Sequence, residues 1–162
     1  MAPKPLQPGV LAFADPEPKK NVGAIMPVFL PFSGCRTICV FCNQTLQTGV
    51  DPTSDLRTFY LHLETELANL SDQREIELGF FGGTFTSMPQ PWPEEFLKLA
   101  ARHKQRGALS RIRCSTRPDT VEKDQLARLK DLGLDMVELG IQSFSDTTLS
   151  ASNRGYTGAQ AV

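Results

Sequence analysis

Glu75–Phe81 (EIELGFF), closed by Gly82-Gly83, is the stretch on which the fold turns. Its residues alternate. Ile76, Leu78 and Phe80 fall on one parity, and Glu75, Glu77 and Gly79 on the other, the two-residue period of a β-strand. Arg111–Thr116 (RIRCST) repeats the pattern, with Ile112 and Cys114 opposed to Arg113, Ser115 and then Arg117. Asp135–Ser143 (DMVELGIQS) repeats it again, with Val137, Leu139 and Ile141 opposed to Glu138, Gly140 and Gln142. Strands covered by helices on both faces read as nearly continuous apolar runs. One apolar and one polar face instead fit a (β/α) barrel, whose helices pack outside and whose lumen is polar at the C-terminal end of the strands.

Upstream, Ala24–Phe32 (AIMPVFLPF) predicts a first strand, with its prolines at the ends or at an irregular position. Leu56, Phe59, Tyr60, Leu63, Leu67 and Leu70 share one helical face, and Thr53 or Ser54 can cap that helix. Further helices are expected near Glu94–Lys104 and around Leu126, Leu129 and Leu132. Asp119 or Thr120 would open the second of these, and Gly133 would stop it. Ser145 or Asp146 opens a short one. Strand–helix alternation of this kind predicts an α/β fold with a parallel sheet and right-handed crossovers. About four β/α units are legible, so the expectation is a partial TIM-type barrel. Thr157–Val162 reads as the start of another helix, from which a truncated chain or excised fragment is expected.

The 162 residues suffice for one domain with a real core, and 40% hydrophobic and 22% charged residues are ordinary for a globular chain. A net charge of −1 provides no overall basic field for nucleic acid, although a local basic patch stays open. No apolar run approaches the roughly 20 residues of a membrane span, and the N-terminus lacks the apolar stretch of a signal peptide. The expected location is therefore cytoplasmic, with no membrane partner. Residues 1–22 read as a Pro-rich disordered arm, and 23–162 as the folded domain.

Between the first strand and the first helix lies Cys35-Arg36-Thr37-Ile38-Cys39-Val40-Phe41-Cys42, a C-x3-C-x2-C loop at the expected mouth of the barrel. Closely spaced thiolates in a cytosolic chain point to a metal more than to disulfides. Cys35, Cys39 and Cys42 could ligate an iron–sulfur cluster. With three ligands for the four irons of a [4Fe–4S] cluster, one iron stays open to a small molecule. The alternative is zinc with a fourth ligand drawn from Cys114, His62 or His103. Cys114 lies on the apolar parity of its strand and is expected to be a buried thiol. The histidines lie in helical patterns.

With Phe41 before its last cysteine, this loop resembles that of the radical S-adenosylmethionine (SAM) superfamily. Three more segments resemble the branch containing the Elongator catalytic subunit and oxygen-independent coproporphyrinogen III oxidase. They are Gly82-Gly83-Thr84-Phe85-Thr86, Ser115-Thr116-Arg117-Pro118-Asp119, and Glu138-Leu139-Gly140-Ile141-Gln142-Ser143-Phe144, and Arg154-Gly155-Tyr156-Thr157 continues the pattern. The resemblance spans roughly residues 25 to 160 and makes 23–162 the N-terminal part of a radical SAM core domain. It implies a [4Fe–4S] cluster whose open iron binds SAM, and reductive cleavage of SAM to methionine and a 5′-deoxyadenosyl radical. The cofactors carry that chemistry and the protein orients them.

The resemblance also implies roles for single residues. The backbone of Gly82, Gly83 and Thr84 would hold the SAM amino group, although a tight β/α turn also explains the glycines. Arg117 could pair with a carboxylate. Ser115 stands where relatives of one branch carry a glutamate. Gln142 would bond ribose hydroxyls. Arg154 stands at the spacing of a SAM-binding arginine, with a solvated helix-end cation as the alternative. Phe41 would lie against the adenine or shield the cluster from water. Glu138 is left between a site role and an ion pair with Arg113 or Arg117. No catalytic side chain is assigned.

The implied partners are a flavodoxin- or ferredoxin-like reductant and an unidentified substrate, with RNA as one option through tRNA uridine modification. The cysteine spacing is shorter than that of the Elongator subunit and these 162 residues do not include its acetyltransferase domain, so the resemblance carries little expectation of a tRNA substrate. A non-catalytic zinc or iron–sulfur module is the competing reading.

Overall fold

The computed structural model describes residues 23–31, 33–43, 46, 49, 55–71 and 75–161. The expected N-terminal arm, the helix-capping residues Thr53 and Ser54, and Val162 lie outside them. Four strands form one parallel sheet in the order β1-β2-β3-β4: β1 Ala24–Phe29, β2 Ile76–Phe81, β3 Arg111–Thr116 and β4 Met136–Leu139. Helix α1 (Leu56–Ala68) connects β1 to β2, α2 (Trp92–Gln105) connects β2 to β3, and α3 (Lys123–Asp131) connects β3 to β4. A short α4 (Asp146–Ala151) follows β4. The sequential strand order and helical crossovers are those of a partial β/α barrel.

The parity reading holds where the strands pair. Leu78 is level with Ile112, and Phe80 with Cys114, which is level in turn with Val137. These side chains form the face that packs under the helices, where Leu63 and Leu67 of α1, Phe96, Leu97 and Leu99 of α2 and Leu129 of α3 complete the core. Aromatic rings cluster at its centre, with Phe80 stacked on Phe85 at 5.1 Å and tilted against Phe96 at 5.7 Å.

The opposite face carries an ion ladder. Ser115 is level with Glu138 and donates to its carboxylate at 2.9 Å. Arg113 pairs with Glu138 and, at 3.3 Å, with Glu77, which also meets Arg111 at 3.7 Å. Glu138 thus takes the ion-pair role, with Arg113 as its partner. The Arg113 guanidinium lies 5.9 Å from the Phe81 ring centroid, and Gly79 leaves the room which that ring occupies.

Several ends differ from expectation, each for a local reason. β1 stops at Phe29 rather than Phe32 and carries Pro27 in its interior, which an edge strand tolerates. β4 ends at Leu139 instead of Ser143. Beyond it the Ile141 N–H folds back to the Leu139 carbonyl, and Gln142 takes a φ of 73°, so Gln142 stands on a turn and not in strand alternation. Leu139, expected on the apolar face, is 46% exposed, and Ile141 joins a separate cluster with Leu149, Tyr156 and Ala161.

Asp55 caps α1 through Arg57 N–H. Neither Asp119 nor Thr120 caps α3. Its N-cap is Glu122, and Asp119 and Thr120 lie in a 3-10 turn, Pro118–Thr120, with their side chains engaged elsewhere. Gly133 ends α3 at a φ of 105°, and Ser145 caps α4. Gly158–Ala161 is a 3-10 turn.

Candidate functional site

The C-terminal ends of β2, β3 and β4 and the cysteine loop enclose a cavity of about 230 Å³. Two glycines bring its walls together. A Cβ at Gly82, whose φ is 108°, would collide with the Leu30 carbonyl, and one at Gly83 with the Ser33 carbonyl. Thr84 N–H donates to Ser33 O at 2.8 Å. The close approach that these glycines permit is therefore to the chain entering the cysteine loop, and both still line the cavity. Behind them the buried hydroxyls of Thr86, Thr116 and Thr120 bond one another at 2.5 Å (Thr86–Thr116) and 2.8 Å (Thr86–Thr120), fixing the β2 turn to the end of β3.

Cys35, Cys39 and Cys42 all line the cavity. Cys35 Sγ lies 3.0 Å from Thr84 Oγ1, and Cys39 Sγ accepts from Arg154 Nη1 at 3.2 Å. The loop is docked on the segment after α4. Val40 N–H reaches Ser152 O at 3.2 Å, and the Asn153 side chain donates to Ile38 O at 2.7 Å.

Cys114 is separate. It is fully buried beneath the helices, and burial pushes its thiol up to about 12. His62 is exposed on α1, and His103 accepts from Arg106 Nε at 3.0 Å on α2. All three stand outside the cavity wall.

Among the described residues, no three His, Cys, Asp or Glu side chains converge as ligands of one ion. In a cuboidal cluster each thiolate binds its own iron, so its ligands need not converge on one point. Three thiols on one wall, one of them hydrogen-bonded to a guanidinium, fit such a cluster.

The remaining residues expected at the site also line this cavity: Phe41, Gly82, Gly83, Thr84, Ser115, Arg117, Gln142 and Arg154. Phe41 and Gln142 stand on its exposed side. The two arginines differ from a simple ligand-binding picture. Arg117 was expected to offer its fork to a bound carboxylate, but Asp119 already occupies it, at 2.8 Å to Nε and 3.0 Å to Nη2.

Arg154 is buried, not a solvated helix-end cation, and bonds Cys39, the Gly140 carbonyl and the Tyr156 hydroxyl. Burial alone would lower its pKa, but the hydrogen bonds to Tyr156 and Cys39 outweigh that and keep it charged. Thr37, Thr116 and Gly140 complete the wall, and sequence reading gave them no role. Thr37 sits inside the C-x3-C spacing, the one signal that could have marked it.

A wider open cleft of about 500 Å³ lies at the other end of β4, beside the Lys104–Asp135 ion pair at 2.6 Å. It holds no thiol. The smaller cavity is the candidate site because strand ends and all three loop cysteines meet there.

A parallel β/α sheet with a cysteine loop at the mouth of its strands defines the class, and the chain belongs to the radical SAM superfamily, whose sequence profile matches residues 29–162. It is similar to a Bos taurus protein named radical S-adenosyl methionine domain-containing protein 1, mitochondrial: 28% identical over 131 residues, covering 79% of this chain and 29% of that protein. The Mus musculus protein of the same name is 22% identical over 159 residues, covering 96% of this chain and 36% of its own length. The chain thus spans about a third of the length of these relatives. Neither name specifies the Elongator or coproporphyrinogen oxidase branch. Both names contain the word mitochondrial, so they lend no support to a cytoplasmic location for this chain. Among the described residues no helix is long and apolar enough to cross a membrane.

Proposed function

We propose that this chain forms the cluster- and SAM-binding part of a radical SAM enzyme. The observation that carries the reading is the meeting of Cys35, Cys39 and Cys42 with the ends of β2, β3 and β4 around one cavity. Cys35, Cys39 and Cys42 would hold a [4Fe–4S] cluster. The chemistry a bound cluster would supply is one-electron reduction of the SAM sulfonium, giving methionine and a 5′-deoxyadenosyl radical.

The chain's own residues bind and orient. Gly82, Gly83 and Thr84 line the cavity and would lie beside the amino-acid end of SAM. The Ser115 hydroxyl donates its proton to Glu138 and so turns its lone pairs to other donors. Gln142, set on its left-handed turn at the open side, would bond ribose hydroxyls, and Phe41 would lie against the adenine. Arg154, bonded to Cys39 Sγ, would offset the charge of a cluster held there. The cavity is small beside cofactor pockets of roughly 300–1,000 Å³, so the open side between Phe41 and Gln142 would take part of the nucleotide. A flavodoxin- or ferredoxin-like reductant would supply the electron.

Anaerobic reconstitution tests this. The protein should turn brown and, with dithionite and SAM, release 5′-deoxyadenosine. A colourless protein holding one tight zinc would favour the non-catalytic module instead.

A further inference from the structure

We propose that Arg117 is a positioning residue that clasps the cysteine loop, and not a ligand for the carboxylate of SAM. The inference rests on the cluster reading above and assigns a device within the same site. Arg117 is buried, and every donor nitrogen of its guanidinium is engaged by this chain. Nε and Nη2 take the Asp119 carboxylate as a fork, at 2.8 and 3.0 Å. Nη1 donates to Thr37 Oγ1 at 2.9 Å, and Nη2 also reaches the Arg154 carbonyl.

Thr37 lies between Cys35 and Cys39, and its own hydroxyl donates to the same Arg154 carbonyl at 3.1 Å. The Tyr156 ring sits under both guanidiniums, 5.2 Å from Arg117 and 5.1 Å from Arg154. Gly155 admits the loop, because a Cβ there would meet Thr37 Cγ2 at 2.8 Å.

One side chain at the end of β3 therefore ties the middle of the C-x3-C spacing to the backbone of Arg154, whose side chain in turn holds Cys39. Asp119, two residues after Arg117, supplies the carboxylate that fixes the fork. A lysine keeps the charge but cannot span the fork and the hydroxyl together. The clasp determines how firmly the loop keeps its sulfurs on the cavity wall, and it leaves SAM to other residues.

The test uses the full chain, reconstituted anaerobically, as wild type and as Arg117→Lys, Asp119→Asn and Thr37→Val. Three quantities are read: the rate at which an iron chelator strips the cluster, the SAM dissociation constant per loaded chain, and the change in the reduced cluster's EPR spectrum when SAM is added. All three variants should lose iron to the chelator about tenfold faster than wild type. SAM affinity should stay within about twofold, and the SAM-induced spectral change should persist.

A wild-type stripping rate in Asp119→Asn and Thr37→Val overturns the clasp. So does a tenfold or greater loss of SAM affinity confined to Arg117→Lys, which would make Arg117 a direct ligand. Thr37→Val exchanges one hydroxyl for a methyl group of similar size, so it keeps the test decisive if Arg117→Lys fails to fold. Wild-type protein that takes up no iron defeats the cluster reading itself, an outcome distinct from equal stripping rates in a loaded protein.

Discussion

Burial pushes the Cys114 thiol up to about 12, and the consequence is a measurable pH dependence. An unfolded cysteine ionises near pH 8.5. Above that value the unfolded chain sheds a proton that the native chain keeps. The contribution to stability is complete below the unfolded pKa and is lost as pH rises towards the folded one. Between pH 8 and 10 the urea-unfolding free energy should fall ~2 kcal/mol further in wild type than in Cys114→Ala. An equal fall would show that this thiol is not sealed. Gly83 gives a second residue-scale prediction. A methyl group there must displace the Ser33 carbonyl, so Gly83→Ala should lower stability by about 1–3 kcal/mol, the range of overpacked sites. Denaturant midpoints measure this, and a shift well under that range would mean the loop can retreat. Cys114 was readable from parity alone. Arg117 was not, since alternation gives a direction for a side chain and says nothing of an Asp119 waiting two residues on.

At the scale of elements, β3 was legible to the residue because its alternation is unbroken and both its neighbours pair in register. β4 was read too long. Gly140, Ile141 and Gln142 continue the alternation on paper, but the backbone turns at Leu139 and Gln142 goes left-handed. Hydrophobic periodicity does not register a turn whose residues keep the pattern. Helix α1 begins with Asp55, whose carboxylate accepts from Arg57 N–H at 3.1 Å. Asp55→Ala should cost about 1 kcal/mol in stability, the usual worth of an N-cap. No change in the denaturation midpoint would mean the cap is redundant. In the ion ladder, Arg113→Ala leaves Glu138 without its cation, while Glu77 keeps Arg111. The expected loss is about 1–3 kcal/mol, below that of a fully buried pair because Glu138 keeps some contact with water. Arg113→Met combined with Glu138→Gln should recover most of it in the same measurement.

Across the whole molecule, one apolar and one polar sheet face divide the labour. Beneath the helices Phe80, Phe96 and Leu97 are sealed from water, which supplies the rigidity on which a loop-built site depends. On the other side, strand ends and the cysteine loop meet at a polar cavity. That division was legible from the alternation in Glu75–Phe81, and the loop's chemistry from its spacing. The bracing that joins them was not, because Thr37, Asp119, Arg154 and Tyr156 are brought together only by folding. Iron and acid-labile sulfide analysis with EPR, on the anaerobically reconstituted full chain, tests the three-thiol site most directly. Iron and sulfide should appear in equal amounts, with a reduced-state signal that changes on adding SAM. All of this should vanish in Cys35→Ala, Cys39→Ala or Cys42→Ala and persist in Cys114→Ala. A colourless protein with one tightly held zinc, or a cluster that survives loss of any of the three loop thiols, would contradict it.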